Sequence, residues 1–316
     1  MTIAITGAAG NLGSLLSRHL LAHTPNDLRL LIHNRDLPPD LKNHPRAPAV
    51  RCDLARPETL VPALVGADCV VHFAGVLFKA NPERFLPTTN TAYFKNFLDV
   101  AIAQKVRRVI LISFPHVEGE TTSESPATGK LDGIPSSAHA RTRLEEEKLL
   151  FAAGKTHGFE AASLRVGMVY GRGILMIDTA RWLARRRLLG VWREPTWIHL
   201  ISTEDFLTAT AAAATRENIQ GIYHLGDDGR QTLQQFLDTA AEVWGTRKPW
   251  RMRLGLIYSA ARLCEGWSSL SGSRSPLTRD FITIGRCSYY GDTSRMRTEL
   301  LSKLAYPTLK EGRHTL

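Results

Sequence analysis

Apolar residues along the chain recur with two periods, and the alternation between them marks out the elements. Thr2-Ile3-Ala4-Ile5-Thr6 has the β-branched pattern of a buried strand, and Leu12, Leu15, Leu16, Leu20 and Leu21 then follow at helical spacing. Strand-like runs return at 28–32, 50–53, 69–73, 109–113 and 160–165, with helical patterns between them at 58–64, 90–104 and 138–153. This order predicts an α/β protein, a doubly wound parallel sheet whose ligands bind beyond the C-terminal ends of its strands. The polar stretch 115–137, rich in Gly, Pro, Thr and Ser, reads as a mobile loop over that edge. Past Met168 the alternation weakens: helices are predicted at 178–189, 204–215 and 232–244, and strands at 196–201 and 221–225. We therefore expect a sheet domain over 1–167 and a smaller lobe over 168–316, with the chain crossing back into the sheet domain around 196–225.

The turn after the first strand carries the clearest chemistry. In Gly7-Ala8-Ala9-Gly10-Asn11-Leu12-Gly13, Gly7 permits a sharp exit from the strand, Gly10 lets backbone approach a diphosphate, and Gly13 lets the helix pack closely on the sheet. The helix N-terminus then offers free N–H groups and a positive dipole end to phosphates. A glycine run placed between strand and helix in this way reads as a dinucleotide site. An acidic residue about 20 positions beyond the glycines would bond the ribose hydroxyls of NAD. Here that place holds His33, followed by Asn34 and Arg35, so we expect NADP, with NAD as the alternative.

Composition changes this picture little. Of 316 residues, 43% are apolar and 22% charged, as in ordinary globular enzymes. The formal charge is +10, but the basic residues are dispersed, the densest group being Arg185-Arg186-Arg187. A solvated face that helps to draw in an anionic cofactor fits better than nucleic-acid binding. The four cysteines lack metal or redox spacing. No apolar run reaches the ~18 residues that span a bilayer, and no signal peptide opens the chain, so a cytoplasmic protein is expected.

The assembled motifs resemble the extended short-chain dehydrogenase/reductase family, which holds nucleotide-sugar epimerases, dehydratases, dihydroflavonol reductases and 3β-hydroxysteroid dehydrogenases. The marks are the glycine turn, Cys52-Asp53-Leu54, Val71-His72-Phe73-Ala74-Gly75, Asn90 at the head of a long helix, Leu164-Arg165-Val166-Gly167-Met168-Val169-Tyr170-Gly171 and Ile198-His199-Leu200-Ile201-Ser202. The resemblance implies a Rossmann-type fold with a mostly C-terminal substrate lobe. It implies that Asn11 and Leu12 join the glycines at the diphosphate and that Asp53 and Leu54 meet the adenine. Phe73, Ala74 and Gly75 would line the ribose, and Asn90, Val166 and Val169 would complete the cofactor floor. It also suggests homodimers and a small carbonyl or hydroxy substrate. The moderately apolar stretch 254–272 leans toward an apolar one.

The family's proton chemistry uses Tyr-x-x-x-Lys, and that place reads His139-Ala140-Arg141-Thr142-Arg143. The spacing of four keeps both side chains on one helical face. The third position, normally Ser or Thr, falls on Phe114, with Ser113 one residue earlier. His139 is thus the candidate proton carrier, Arg143 a cofactor anchor beside it, Ser113 the candidate hydroxyl and His116 a substitute donor. The expected function is an atypical NADP(H)-dependent oxidoreductase or epimerase. The alternative is a cofactor-binding sensor or accessory protein without turnover.

Overall fold

The computed structural model describes residues 1–75, 80–271, 275 and 277–316. Its centre is a seven-stranded sheet, parallel throughout, in the order β11-β6-β5-β4-β1-β2-β3. The strands are β1 (Thr2–Thr6), β2 (Asp27–Ile32), β3 (Ala49–Arg51), β4 (Cys69–His72), β5 (Arg108–Ser113), β6 (Glu160–Val166) and β11 (Gly221–Leu225). Helices α1 (Asn11–His23), α2 (Val61–Leu64), α3 (Tyr93–Ala103), α4 (Ala138–His157) and α6 (Thr203–Thr215) cover it. Successive residues of a strand face opposite sides. Ile3 and Ile5 of β1 therefore join one core cluster with Leu16 and Leu20 of α1 and Phe206 of α6. Ala4 joins the other, with Phe94 and Phe97 of α3. The strand order reverses at β1, between β2 and β4, which opens the crevice where this architecture takes its ligands.

The remaining elements build the smaller lobe: β7 (Met168–Tyr170), α5 (Leu175–Arg185), β8 (Gly190–Trp192), β9 (Trp197–Ile198), β10 (Leu200–Ser202), β12 (Gln231–Thr232), α7 (Leu233–Val243), β13 (Trp250–Met252), α8 (Leu254–Ser271), α9 (Arg279–Arg286) and α10 (Leu309–Gly312). Its strands pair in twos, β7 with β10, β8 with β13 and β9 with β12. The predicted strand 196–201 is broken at His199, whose carbonyl accepts from Met168 N (2.8 Å). Predicted helix 178–189 instead starts at Leu175 and ends at Arg185, and Arg187 turns the chain with a left-handed φ of 59°. Helix 58–64 is a 3-10 turn at Pro57–Thr59 followed by the single turn of α2, and Asn90 lies in a π-helical turn, Pro87–Ala92, ahead of α3.

The stretch 115–137 is not a free excursion. A short 3-10 turn, Pro115–Glu118, buries His116 and Val117, and Thr121 and Ala127 donate backbone bonds to the carbonyls of Ser288 and Tyr290. Gly272, which closes the apolar stretch 254–272, lies outside the described residues. Within α8, Ile257 is buried and Leu254 and Tyr258 pack on the core, whereas Leu256, Leu263, Trp267 and Leu270 are exposed.

Candidate functional site

The glycine turn has the geometry its residues suggest. Gly7 takes φ +68°, a region costly for side chains. A Cβ on Gly13 would stand 2.4 Å from the Gly7 carbonyl oxygen, so only glycine lets α1 start against this turn. Gly10 N donates to Gly7 O (2.8 Å), and Gly10 occupies the α1 N-cap with no side chain bonded across it. The first-turn N–H groups of α1 are thus left to a ligand. Asn11 is otherwise engaged: its amide donates to Gly173 O (2.6 Å) and accepts from Leu175 N (2.9 Å), tying the turn to the head of α5. Leu12 packs half-buried on the core. Thr6 Oγ1 accepts from Phe73 N (3.1 Å) and Ala74 N (3.2 Å), which holds the ends of β1 and β4 side by side. His72, bonded to the same hydroxyl, is pushed down to about 3 by burial and by the Arg143 charge, so it is neutral.

At the far end of the crevice His33, Asn34 and Arg35 are exposed just past β2. Arg51, at the paired end of β3, donates to the His33 carbonyl and to Asp36 Oδ1 (2.8 Å for the latter). Asp36 is therefore drawn to Arg51, and Arg35 has no ion-pair partner among the described residues. Asp53 accepts from Ala55 N (2.9 Å) in a tight turn and lies 3.7 Å from His33 Nε2. Leu54 presents its carbonyl to Asn96 Nδ2 (3.0 Å). These residues share one rim, as their place in the sequence suggests.

Ser137 caps α4 by accepting from Ala140 N (3.1 Å), which sets the first turn and the two residues in question. His139 is nearly buried, and its Nδ1 is hydrogen-bonded to Asp280 Oδ2 of α9. The other Asp280 oxygen accepts from Ala138 N (2.9 Å). Burial alone would raise the Asp280 carboxyl, but the bonds from His139 and Ala138 outweigh it and hold the group below its ordinary value. Arg143 runs back along the same face to the end of β4. Its Nη2 lies 3.1 Å from the place a Cβ on Gly75 would take, and its Nη1 stands 2.6 Å from Glu146 Oε2. That ion pair lacks good hydrogen-bond angles, and burial pushes Glu146 up to about 7 against the pull of Arg143. A cation with incompletely used donors thus faces the crevice beside Gly75. Asn90 donates to Thr142 Oγ1 (3.3 Å), while its Oδ1 is buried without a partner among the described residues.

Ser113 ends β5 with its hydroxyl buried and likewise unpartnered. His116 is buried against Tyr289 (ring centroids 4.2 Å apart), and burial pushes it down to about 4. It is neutral at physiological pH, and its ring is poorly suited to serve as a cationic donor. Val166, the last residue of β6, and Val169, in the middle of β7, are both buried. Of the six tryptophans, Trp192 and Trp244 are core residues, whereas Trp182, Trp197, Trp250 and Trp267 are exposed.

Sequence reasoning missed three contributors. Asp280 lies 141 residues from His139, and no local pattern announces it. Glu146, three residues after Arg143 on the same helix, was readable from spacing. Arg165, fully buried in β6, is clamped by Glu147 (2.6 Å) and Glu118, and donates to Lys130 O (2.7 Å). This network fixes the segment after β5 to α4 and β6.

The model of the NAD dependent epimerase/dehydratase family matches residues 3–226. Among curated proteins, a trifunctional UDP-glucose 4,6-dehydratase/UDP-4-keto-6-deoxy-D-glucose 3,5-epimerase/UDP-4-keto-L-rhamnose-reductase of Arabidopsis thaliana is 29% identical over 76% of this chain, which spans 38% of that protein. A dTDP-glucose 4,6-dehydratase of Streptomyces antibioticus is 28% identical over 78% of both chains. A UDP-glucuronic acid 4-epimerase of Bacillus cereus, solved with UDP-glucuronic acid and NAD, has a similar fold: TM-score 0.76, 20% identity, 100% of this chain and 97% of that one covered. With the sheet, the crevice and the family match together, the chain belongs to the NAD dependent epimerase/dehydratase family.

Proposed function

We propose that this protein is an NADP(H)-dependent oxidoreductase or epimerase acting on a carbonyl or hydroxyl group of a nucleotide-linked sugar. The cofactor reading rests on the uncapped α1 N-terminus over a turn that only glycine permits at position 13. Gly7, Gly10, Leu12 and Gly13 hold the diphosphate, with Asn11 bracing the turn against α5. Asp53 and Leu54 border the adenine, and Phe73, Ala74 and Gly75 the ribose. Asn90, Val166 and Val169 complete the floor. Preference for NADP is supported by Arg35, exposed at the end of β2 without an ion-pair partner among the described residues, while the nearby carboxylates are engaged, Asp36 by Arg51 and Asp53 by Arg56 and His33. The substrate class follows the relatives, whose names carry UDP- and dTDP-sugars. We read the chain as a cofactor domain over 1–167 and a substrate lobe over 168–316, with β11 returned to the sheet, and as a homodimer.

When bound, the dinucleotide supplies or accepts the hydride. The proton falls to this chain. His139 stands at the start of α4 with its ring oriented by Asp280, a carboxylate placed to support the imidazolium. Arg143 cannot give up its proton, so it anchors the cofactor beside Gly75. Ser113 is the hydroxyl available at the end of β5.

NADPH consumption with nucleotide-linked keto sugars tests this reading. Turnover that His139→Phe removes, with NADPH affinity kept, supports it. The absence of tyrosine at position 139 favours a second reading, a cofactor-binding regulator. Tight NADPH binding with no consumption across the panel would select that one instead.

A further inference from the structure

The outer face of α8 has an unusual composition. Its inward face buries Ile257, Ala261, Glu265 and Ser268, two of them polar. Glu265 is committed there: it accepts from Arg279 N (2.8 Å) and pairs with Arg279 Nε (2.7 Å), joining α8 to α9. The outward face carries larger apolar groups, Leu256 at 59%, Leu263 at 76%, Trp267 at 72% and Leu270 at 88% exposure. At 3.6 residues per turn these four fall within about 60° of one another, a stripe along a helix about 27 Å long. An ordinary surface helix puts this face inward.

The surroundings are cationic. Residues 245–271 contain Arg247, Lys248, Arg251, Arg253 and Arg262 against the single acid Glu265; Lys248 and Arg251 pair with Glu242 (3.5 Å) and Asp238 (2.7 Å), and residues 181–193 contain five arginines and no acid. Pairing of β13 with β8 brings these segments together, and Trp250 Nε1 donates to the Arg187 carbonyl (2.9 Å). Arg185, Arg186 and Arg187 are all exposed, and Arg186 lies over the exposed Trp182 ring (4.0 Å). A second copy of the chain would bring the same cations against one another. No helix among the described residues is long and apolar enough to cross a membrane.

We propose that α8 and the arginine-rich end of α5 form a docking surface for an anionic lipid bilayer. Leu256, Leu263, Trp267 and Leu270 enter the headgroup boundary while the arginines meet lipid phosphates. This inference is independent of the cofactor reading.

Sedimentation of the full-length protein with vesicles tests it, comparing phosphatidylcholine alone with phosphatidylcholine mixed with phosphatidylglycerol. We expect binding to the mixed vesicles only, weakened by salt. Leu263→Ser with Leu270→Ser should reduce partitioning about tenfold or more, and so should replacing Arg185, Arg186 and Arg187 together by Gln. Thermal melts check that both variants keep the wild-type fold. The two variants lie on different elements, so loss in both cannot come from one local defect. Failure of the wild type to bind mixed vesicles, or undiminished binding by both folded variants, overturns the proposal. So does a wild-type dimer that Leu263→Ser with Leu270→Ser converts to monomer, because a second copy would then cover the face.

Discussion

At the scale of single residues, the site depends on a few positions with little tolerance. Gly13→Ala sets a methyl group 2.4 Å from a backbone oxygen that belongs to the cofactor turn. We expect a loss of about 1–3 kcal/mol in urea unfolding, the usual cost of overpacking, together with weakened dinucleotide binding. Melting like wild type with unchanged cofactor affinity would show that the turn has slack. Arg35 is the opposite case, exposed and uninvolved in the fold. Arg35→Ala should weaken NADPH by about 1.5–3 kcal/mol, the loss of a charge-assisted bond, and leave NADH and stability alone. A calorimetric titration of both cofactors separates these outcomes.

At the scale of elements, the contact between α4 and α9 matters most. Asp280 joins them by holding His139 and by accepting from Ala138 N. Asp280→Asn preserves shape but removes the charge that supports a protonated ring, so kcat should fall while KM for NADPH stays. Asp280→Ala should also lower the melting temperature, because two donors lose their acceptor. The acid side follows from the depressed carboxyl. Its stabilising contribution is complete above the ordinary aspartate value and is lost as pH falls through the lower folded value. Acid unfolding of Asp280→Asn should therefore begin from a lower stability but show a shallower fall. Identical acid profiles would mean that the pair adds nothing. This pairing also marks where the sequence stops being legible. The glycine turn and the strand alternation are local patterns that periodicity and spacing expose, and His139 and Arg143 are singled out by the resemblance to the family's Tyr-x-x-x-Lys. Asp280 meets His139 only after the lobe folds back over the sheet, and no pattern on α9 announces it. The lobe's strands are only two or three residues long and leave no period to read. Proline and π-helical geometry shifted the starts of α2 and α3 in the same way, because backbone chemistry there overrode the apolar spacing.

At the scale of the whole molecule, buried carboxyls set the response to base. Asp227 is 1% exposed, and burial pushes it up to about 8; Glu146 is pushed up to about 7 by the same cause. Between their ordinary and folded values the native state holds protons that the unfolded chain has released. These two carboxyls therefore lower stability as pH rises from about 4 to about 8, whereas the buried neutral His72, His116 and His199 add stability up to the ordinary histidine value near 6.5, so the net fall lies between about 6.5 and about 8. Melting temperatures across that range should show this fall, and Asp227→Asn should flatten its upper part. The central claim concerns the crevice between β1, β2 and β4. Its most direct test is calorimetric titration of the intact protein with NADPH and with NADH. Saturable binding of one dinucleotide per chain, tighter for NADPH and abolished in a folded Gly10→Val variant, is the predicted result. A folded protein that binds neither dinucleotide would contradict it.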